Sequence, residues 1–399
     1  MTSDELHALM DPEVRTMIME HREDDPAAFA LLFHGRHDLP VRAMAGQIAC
    51  MQKAEKKLPT LFRFPLLYSR VALEQASGER AAAYKARLMS GKRLIDLTGG
   101  LGIDSIMLSQ RFEEVVYCER DTGLAEPVSH NLRVLGIRNI DIRTGDSTKL
   151  LEACSDGSFD WIYADPARRE GGRRAAGLQV SSPDMVSLHD TLLRKAPMVC
   201  IKASPVLEIS GLRKLLPSLS GVTVVSVDQE CKEVLLLLDR DRQQAGLLPV
   251  RAVCLDDGEF TLEGTEGEPR AGTLSGAPRG YLYEPDPAII KARLVARLAE
   301  GFGLTFLNGS VGYLTSDRFL EGFPGRSFRV VRAAFYKPKS FSSLLESWGV
   351  RSASIQRRDF PLSPEEIRKR YRLGESDDVF LFFTKDAAGK LLVLCCEKP

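Results

Sequence analysis

The chain reads Asp96-Leu97-Thr98-Gly99-Gly100-Leu101-Gly102-Ile103-Asp104 at the point where an apolar run meets an amphipathic stretch. Residues 93–97 have the apolar character of a strand, and the stretch that continues to Gln110 is typical of a helix. Glycine lets the backbone turn tightly at such a junction and lets a ligand approach the helix N-terminus closely. The segment therefore predicts the first strand, loop and helix of an α/β domain.

Short apolar runs alternate with helical stretches beyond this loop. The further predicted strands are residues 115–119, 140–143, 159–164, 198–202, 222–227 and 234–238. Strand–helix alternation predicts a parallel sheet covered by helices on both faces. The last two runs are six residues apart, too close for a crossover helix, so we expect an antiparallel hairpin at the sheet edge. The pattern predicts a Rossmann-like sheet of seven strands.

Acidic residues lie at the predicted ends of the second and third strands. Glu119 ends the second strand, 23 positions after Asp96, where a carboxylate can accept hydrogen bonds from both ribose hydroxyls of a nucleoside ligand. Asp146 follows the third strand, where the adenine edge of such a ligand would lie. These ordered strand ends favour a nucleoside site over the alternative, a bare glycine turn in a doubly wound fold.

The glycine spacing separates two classes of nucleoside cofactor. Folds that bind nicotinamide or flavin dinucleotides have the pattern G-x-G-x-x-G, but Ser105 replaces the third glycine here, and Asp104 would lie beside a pyrophosphate. S-adenosylmethionine (SAM) has no phosphate, so it tolerates an acid at that position. The loop therefore favours SAM, with Thr98, Gly100, Gly102 and Asp104 among its candidate contacts.

The chemistry of the predicted domain should lie after the fourth strand, where the chain reads Asp165-Pro166-Ala167-Arg168-Arg169. Ligands of open α/β sheets bind at the carboxyl ends of the strands, which would put Asp165 beside the sulfonium methyl. This carboxylate, together with the backbone carbonyl beside Pro166, could accept the hydrogens of an exocyclic amine; a simple turn residue is the alternative. Lys202, at the end of the fifth strand, either contacts the substrate or pairs with Asp165.

A basic loop follows the same strand end. Arg168, Arg169 and Arg173 flank Glu170-Gly171-Gly172. Arginines in a loop beside the site could clamp substrate phosphates. A solvated surface loop explains the same composition equally well.

These residues resemble the Rossmann-like SAM-dependent methyltransferases, and more narrowly a bacterial group with a ferredoxin-like segment and a THUMP-like domain at the C-terminus. The resemblance rests on the glycine loop, on the run after the fourth strand, and on three further runs. These are Leu73-Glu74-Gln75-Ala76-Ser77, Lys202-Ala203-Ser204-Pro205 and Phe360-Pro361-Leu362-Ser363-Pro364. The resemblance implies a helical region over residues 1–90, a SAM-binding methyltransferase domain over 91–243, a ferredoxin-like segment over 244–327 and a THUMP-like domain over 328–399.

The resemblance also implies roles for single residues. Asp96, Gly100 and Gly102 would line the methionine side of the cofactor, Glu119 would bind the ribose, and Asp146 would contact the adenine edge. Asp165 would be the acid of the catalytic motif. The chain departs from the amine methyltransferases after Pro166, because Ala167 and Arg168 stand where a second proline and a base-stacking aromatic ring are usual.

THUMP domains are associated with RNA, often transfer RNA, so the resemblance implies an RNA substrate. Between Arg318 and Arg372 the chain has 13 Lys and Arg against 5 Asp and Glu, a local excess of 13 − 5 = +8. Phe335, Tyr336 and Tyr371 are interleaved with these charges, and basic segments with aromatic rings suit RNA. Arg357 and Arg358 are the candidate RNA contacts. The charged face of a small α+β domain would have the same composition.

Composition restricts the partners, the metal sites and the location that the chain can have. The formal net charge is zero, so no overall charge attracts the chain to nucleic acid or membrane. The chain has eight cysteines, of which six are scattered and two are adjacent. We expect them to be reduced structural thiols, and we expect no metal site. Without a leader-like N-terminus or a long apolar run, we expect a cytoplasmic location.

Three functions are therefore compatible with the sequence. The first is a SAM-dependent RNA methyltransferase, acting most readily on a guanine exocyclic amine in tRNA or rRNA. The second is a SAM-dependent methyltransferase for a small molecule or a protein, which the Ala167–Arg168 departure motivates. The third is a non-catalytic RNA-binding protein with a vestigial cofactor fold.

Overall fold

The computed structural model describes residues 3–168, 178–242, 246–256, 258–269 and 271–399. The chain divides into two compact units, Met1–Ser220 with Val234–Gln244 and Gly221–Glu233 with Ala245–Pro399. Within these described ranges, no helix is both long and apolar enough to cross a membrane. The second unit includes residues 221–233 in addition to the chain after Gln244.

Six α-helices begin the first unit: α1 (Ser3–Met10), α2 (Pro12–Glu20), α3 (Pro26–Leu32), α4 (Val41–Lys57), α5 (Arg70–Gln75) and α6 (Glu79–Leu88). The run of helix formers between Val71 and Met89 does not form one continuous helix. The chain is extended at Ala76 and Gly78, which separates α5 from α6. Between them Ser77 is buried, so tertiary contacts of this side chain override the local helix propensity.

The strands and helices that follow belong to the large sheet, except that the fifth and sixth strands pair only with each other. They are β1 (Gly91–Asp96), α7 (Ile103–Leu108), β2 (Phe112–Glu119), α8 (Thr122–Val134), β3 (Ile140–Thr144), α9 (Ser147–Glu152), β4 (Trp161–Ala164), β5 (Ala167–Arg168), β6 (Ser181–Ser182), α10 (His189–Lys195), β7 (Met198–Ala203), β8 (Leu219–Val227) and β9 (Glu230–Asp239). Strand β1 pairs in parallel with β2 and with β4, and Asp96 is in register with Tyr117 and Tyr163. The ends of these three strands therefore meet at one edge of the sheet.

The helical N-terminal region is tied to this sheet through α8. The Asn131 side chain accepts a hydrogen bond from the Leu67 N–H (2.8 Å) and donates one to the Leu67 carbonyl (2.9 Å). Asn131 is buried, and a buried amide with both bonds made holds the neighbouring chain in one register.

The sheet has nine strands in the order β11-β10-β8-β9-β7-β4-β1-β2-β3, where β10 is Pro249–Leu255 and β11 is Glu259–Thr265. The predicted number of seven is therefore too low, and the neighbours β8 and β9 do not form its edge. Asp228 and Gln229 join them with φ values of 52° and 59°, as in a two-residue hairpin turn. β8 is buried along almost its whole length, and such a strand needs a partner on each side; β10 supplies one of them in parallel.

The second unit continues with β12 (Tyr281–Pro285), α11 (Pro287–Lys291), α12 (Val295–Phe302), β13 (Thr305–Phe306), β14 (Leu314–Ser316), β15 (Gly325–Phe335), α13 (Phe341–Trp348), β16 (Ser354–Arg357), α14 (Pro364–Tyr371), β17 (Val379–Lys385) and β18 (Leu391–Glu397). Its own sheet has the order β13-β14-β12-β15-β18-β17-β16. Ser363 forms a capping box with Glu366 at the start of α14. Helices α11 and α12 do not merge into one helix, because Arg293 takes a positive φ of 61° between them.

Candidate cofactor and catalytic site

The glycine loop is shaped by contacts with the end of β2. The Gly99 N–H donates to the Cys118 carbonyl (2.8 Å), and the Tyr117 hydroxyl donates to the Gly100 carbonyl (2.6 Å). A Cβ on Gly99 would overlap the Tyr117 ring. Gly102, with φ of 79°, is the N-cap of α7. The glycines are therefore required by the close approach of the loop to β2 and by the left-handed backbone at the helix start.

Gly99→Ala is expected to destabilise the first unit by about 1–3 kcal/mol, because the new methyl group must displace a buried aromatic ring. Urea unfolding would measure this loss. Gly46→Ala is the matched control, since Gly46 lies inside α4 with no atom near an added Cβ; it should be neutral or stabilise by up to about 1 kcal/mol. Equal stability of the Gly99 variant and the wild type would contradict this account of the loop.

Glu119 lies at the end of β2 beside the loop. Its Oε2 accepts a hydrogen bond from the Gly100 N–H (2.9 Å), and its Oε1 accepts one from the Asp121 N–H (2.8 Å). The side chain is half-buried, and each carboxylate oxygen has a further lone pair for a ligand hydroxyl. The geometry therefore holds an oriented acceptor pair at the place where the sequence predicts a ribose contact.

Asp96 lies underneath the loop and has little contact with solvent. It is 1% exposed, and its carboxylate accepts hydrogen bonds from the Thr98 N–H (2.9 Å) and the Ser105 hydroxyl (2.5 Å). Burial raises the pKa of Asp96 to about 7. Asp96 therefore supports the shape of the loop, and its predicted contact with the cofactor stays a prediction.

Asp146 and Asp104 also make contacts that the sequence did not predict. Asp146 is exposed and caps α9, with Oδ1 accepting from the N–H groups of Thr148 (2.9 Å) and Lys149 (3.3 Å). Asp104 Oδ2 accepts a hydrogen bond from the Tyr163 hydroxyl (2.8 Å). The predicted cofactor contacts of Asp146 and Asp104 stay predictions.

Asp165, after β4, is linked to the glycine loop and to β7. Its backbone N–H donates to the Thr98 hydroxyl (2.6 Å), so Thr98 joins two strand ends. Its Oδ2 lies 2.5 Å from Lys202 Nζ, which is one of the two roles that the sequence left open for Lys202. The Asp165 side chain remains 36% exposed, and the next residue, Pro166, is half-buried. Asp165 is therefore an oriented, ion-paired carboxylate that solvent can still reach.

Two site residues come from the helical region and were missed by the sequence analysis. Ser77 Oγ lies 3.1 Å from Lys202 Nζ and 2.8 Å from Asp104 Oδ2. Lys85 Nζ lies 3.0 Å from Ser77 Oγ and 3.1 Å from Asp104 Oδ1. One signal was available: Lys85 stands among Ala and Tyr residues on the apolar face of α6, where an ammonium group needs a buried partner.

Ser77, Lys85, Asp104, Tyr163, Asp165 and Lys202 form one polar cluster. This cluster sets the ionisation of Asp104. Burial raises the pKa of Asp104, but the ammonium groups of Lys85 and Lys202 and the hydroxyls of Ser77 and Tyr163 outweigh it and hold the pKa below its ordinary value. The cluster thus contains two lysines and two carboxylates, a balanced set of charges. In the described part of the chain, no group of three or more His, Cys, Asp or Glu side chains could hold a metal ion.

The predicted basic loop is only partly covered by the structure. The backbone of Ala167 and Arg168 pairs with that of Ser182 and Ser181. Arg169 and Arg173 lie outside the described residues, and their predicted phosphate contacts stay predictions.

The arginines predicted to bind RNA have partners inside the second unit. Arg358 donates to Glu284 Oε1 (2.7 Å) and to the Val311 carbonyl (2.9 Å). Arg357 donates to the Phe360 carbonyl (2.9 Å). The Arg358 guanidinium also lies over the Tyr313 ring, with its central carbon 4.7 Å from the ring centre. Both side chains therefore have partners within the second unit, and their predicted RNA contacts stay predictions.

The predicted aromatic residues of this region also separate into two groups. Tyr336 is buried, and its hydroxyl lies 2.6 Å from that of Tyr371 in an aromatic core. Phe335 is 50% exposed, and Lys390 Nζ lies 5.6 Å from the centre of its ring. Of the three predicted rings, Phe335 is therefore the one best placed to meet a ligand.

Comparison with known proteins gives three results. Residues 325–398 match the family described as THUMP domain-like. Two strains of Mycobacterium tuberculosis have an uncharacterized SAM-dependent methyltransferase that is 26% identical over 331 residues, covering 82% of this chain and 86% of the relative. The crystal structure of a candidate methyltransferase from Porphyromonas gingivalis W83 aligns over 100% of both chains, with 29% identity and a TM-score of 0.84.

Proposed function

We propose that this chain, a homologue of SAM-dependent methyltransferases with a THUMP-like domain at its C-terminus, transfers a methyl group from SAM to RNA. The observation that carries the proposal is the junction of three strand ends, where Glu119 contacts the glycine loop and Thr98 links that loop to Asp165. A cofactor-binding carboxylate and a candidate catalytic carboxylate are thereby held on one connected backbone.

The residues present fit SAM. Gly100 has φ of 54°, and a Cβ there would meet only the Thr98 carbonyl, at 3.8 Å, so a ligand can approach the loop at this glycine. Glu119 offers acceptors for the two ribose hydroxyls. SAM supplies an activated methyl group on a sulfonium. Carboxylates near this site favour a positively charged cofactor over a dinucleotide with its pyrophosphate.

Asp165 has the chemistry to orient a nucleophile that carries hydrogen. Its carboxylate can accept a hydrogen bond from an amine N–H and so direct the nitrogen lone pair toward the methyl carbon. Its pairing with Lys202 restricts its orientation. Because the aromatic ring of the amine methyltransferases is replaced by Arg168, another residue of the site must stack on the target base if the target is an exocyclic amine.

The proposed RNA contact in the second unit is a basic patch defined by Phe335, Lys337, Lys339 and Lys390. All four side chains are exposed, and Lys390 lies over the Phe335 ring. Aromatic rings stack on unpaired bases, and lysines attract phosphates. This patch is a better candidate than Arg357 and Arg358, because both arginines already donate hydrogen bonds to partners within the second unit.

Lys337→Glu/Lys339→Glu/Lys390→Glu is expected to weaken RNA binding at least about 10-fold at moderate salt and to reduce the salt dependence, since each lysine near a phosphate releases a counterion. Fluorescence anisotropy with a labelled tRNA over a salt series would measure both changes. The control reverses three exposed lysines of the first unit, Lys56, Lys92 and Lys214. If both triple variants bind RNA equally well, the patch is not the contact surface.

One experiment tests the methyl acceptor. The purified protein is incubated with methyl-labelled SAM and, separately, with total RNA, protein extract or small metabolites. Label on RNA is the expected result. The departure at Ala167–Arg168 favours the second candidate, a small-molecule or protein methyltransferase, and label confined to those pools would support it. RNA binding with no detectable SAM binding would support a non-catalytic RNA-binding protein instead.

A further inference from the structure

We infer that the helical N-terminal region completes the catalytic site, with Ser77 and Lys85 as positioning residues that hold Lys202 against Asp165. The inference rests on the proposed function, because it assigns a task to residues around its candidate catalytic carboxylate. It also gives residues 1–90 a role in the reaction in addition to their packing against the sheet.

The Ser77 hydroxyl is held by three polar groups. It donates to Asp104 Oδ2 (2.8 Å) and accepts from the ammonium groups of Lys85 (3.0 Å) and Lys202 (3.1 Å). A serine hydroxyl has one donor and two acceptor positions. All three positions are occupied, so the direction of the Ser77 side chain and the place of Lys202 Nζ depend on each other.

The charges of the cluster explain why these groups act together. Lys85 is 1% exposed, and its partner Asp104 is 12% exposed. Removing an ion from water costs several kcal/mol unless an opposite charge and hydrogen bonds compensate it. Lys85 is compensated by Asp104 and Ser77, and Lys202 by Asp165 and Ser77. Ser77 contacts both ion pairs through its hydroxyl.

This arrangement links the break between α5 and α6 to the reaction. If the Ser77 hydroxyl is removed, Lys202 loses a neutral hydrogen-bond acceptor at 3.1 Å but keeps Asp165. The Lys202–Asp165 pair can then shift as a unit. A displacement of the order of 1 Å at a catalytic group can cost about 100-fold in rate. SAM binding should change little, because Glu119 and Gly100 make none of these contacts.

The test compares Ser77→Ala with two matched variants. Ser77→Thr keeps the hydroxyl, and Ser109→Ala removes a different buried hydroxyl of the first unit, which donates to the Ile106 carbonyl. We expect kcat for RNA methylation to fall about 10- to 100-fold in Ser77→Ala, with the Kd for SAM within about threefold of wild type. Ser77→Thr should recover most of the kcat, and Ser109→Ala should retain it.

A second measurement does not depend on enzymatic activity. Lys202 is labelled briefly with an amine-reactive reagent and quantified by mass spectrometry in all four proteins. We expect faster labelling of Lys202 in Ser77→Ala than in the wild type, Ser77→Thr or Ser109→Ala. Unchanged Lys202 labelling in Ser77→Ala overturns the inference whether or not the protein methylates RNA, as does an unchanged kcat in an active enzyme. A wild type that labels no RNA counts against the proposed function alone.

Discussion

Glu119→Ala should weaken SAM binding about 100-fold or more. A hydrogen bond to a charged group contributes about 1.5–3 kcal/mol, and the proposed site has two such bonds from the ribose hydroxyls to one carboxylate. The substitution also removes the acceptor of the Gly100 N–H, so the loop loses part of its support. Isothermal titration calorimetry of SAM into the wild type and the variant would measure the change in Kd.

Two further variants make this result specific. Glu119→Gln keeps one oxygen acceptor without the charge, so its Kd should lie between the wild type and Glu119→Ala. Glu113→Ala changes an exposed acid on the same strand, β2, and should leave the Kd unaltered. SAM binding that is equally strong in Glu119→Ala would remove Glu119 from the cofactor site, and an absence of binding by the wild type would remove the cofactor assignment itself.

Asp165→Ala should reduce kcat by about 10²- to 10³-fold, the usual cost of removing one preorganised polar group from a transition state. The Kd for SAM should change by no more than a few-fold, because the backbone N–H that bonds Thr98 remains. Methyl transfer under saturating SAM and RNA, followed by filter counting of labelled RNA, would measure kcat.

The variants around Asp165 separate its charge from its hydrogen bonding. Asp165→Asn retains a carbonyl acceptor but removes the negative charge that pairs with Lys202, so partial activity would indicate that orientation of the nucleophile is the main contribution. Asp190→Ala is the control, because that acid is 97% exposed and lies on α10. Full activity of Asp165→Ala would mean that the catalytic carboxylate has been assigned wrongly.

Structural features that depend on residues close together in the sequence could be predicted. The run from Asp96 to Asp104 is a strand end, a glycine loop and a helix start, and the capping box at Ser363 lies where the sequence places it. The fold class is confirmed by a structural neighbour that aligns over the whole chain. Strand periodicity, helix caps and tight turns depend on residues close in sequence, so a single sequence contains the information.

Contacts between side chains that are far apart along the chain could not be predicted. Helix formers fill the stretch from Val71 to Met89, but the bonds of Ser77 to Asp104 and Lys202 hold the chain open between α5 and α6. Arg358 pairs with Glu284, 74 positions away, and no local pattern announces this pair. Burial and ion pairing set these outcomes, and neither depends on local periodicity.

By itself the sequence determined the order of strands and helices, the glycine loop and the acidic strand ends, because each follows from backbone geometry within a few residues. Only the tertiary structure decided which of those acids are enclosed by hydrogen-bond donors and which stay open to solvent. Asp96 and Asp104 have little exposure and accept hydrogen bonds from neighbouring hydroxyls. Glu119 and Asp165 stay partly exposed. A carboxylate must be solvated or fully paired, and Ser77 and Lys85 reach Asp104 only when the helical N-terminal region packs against the sheet.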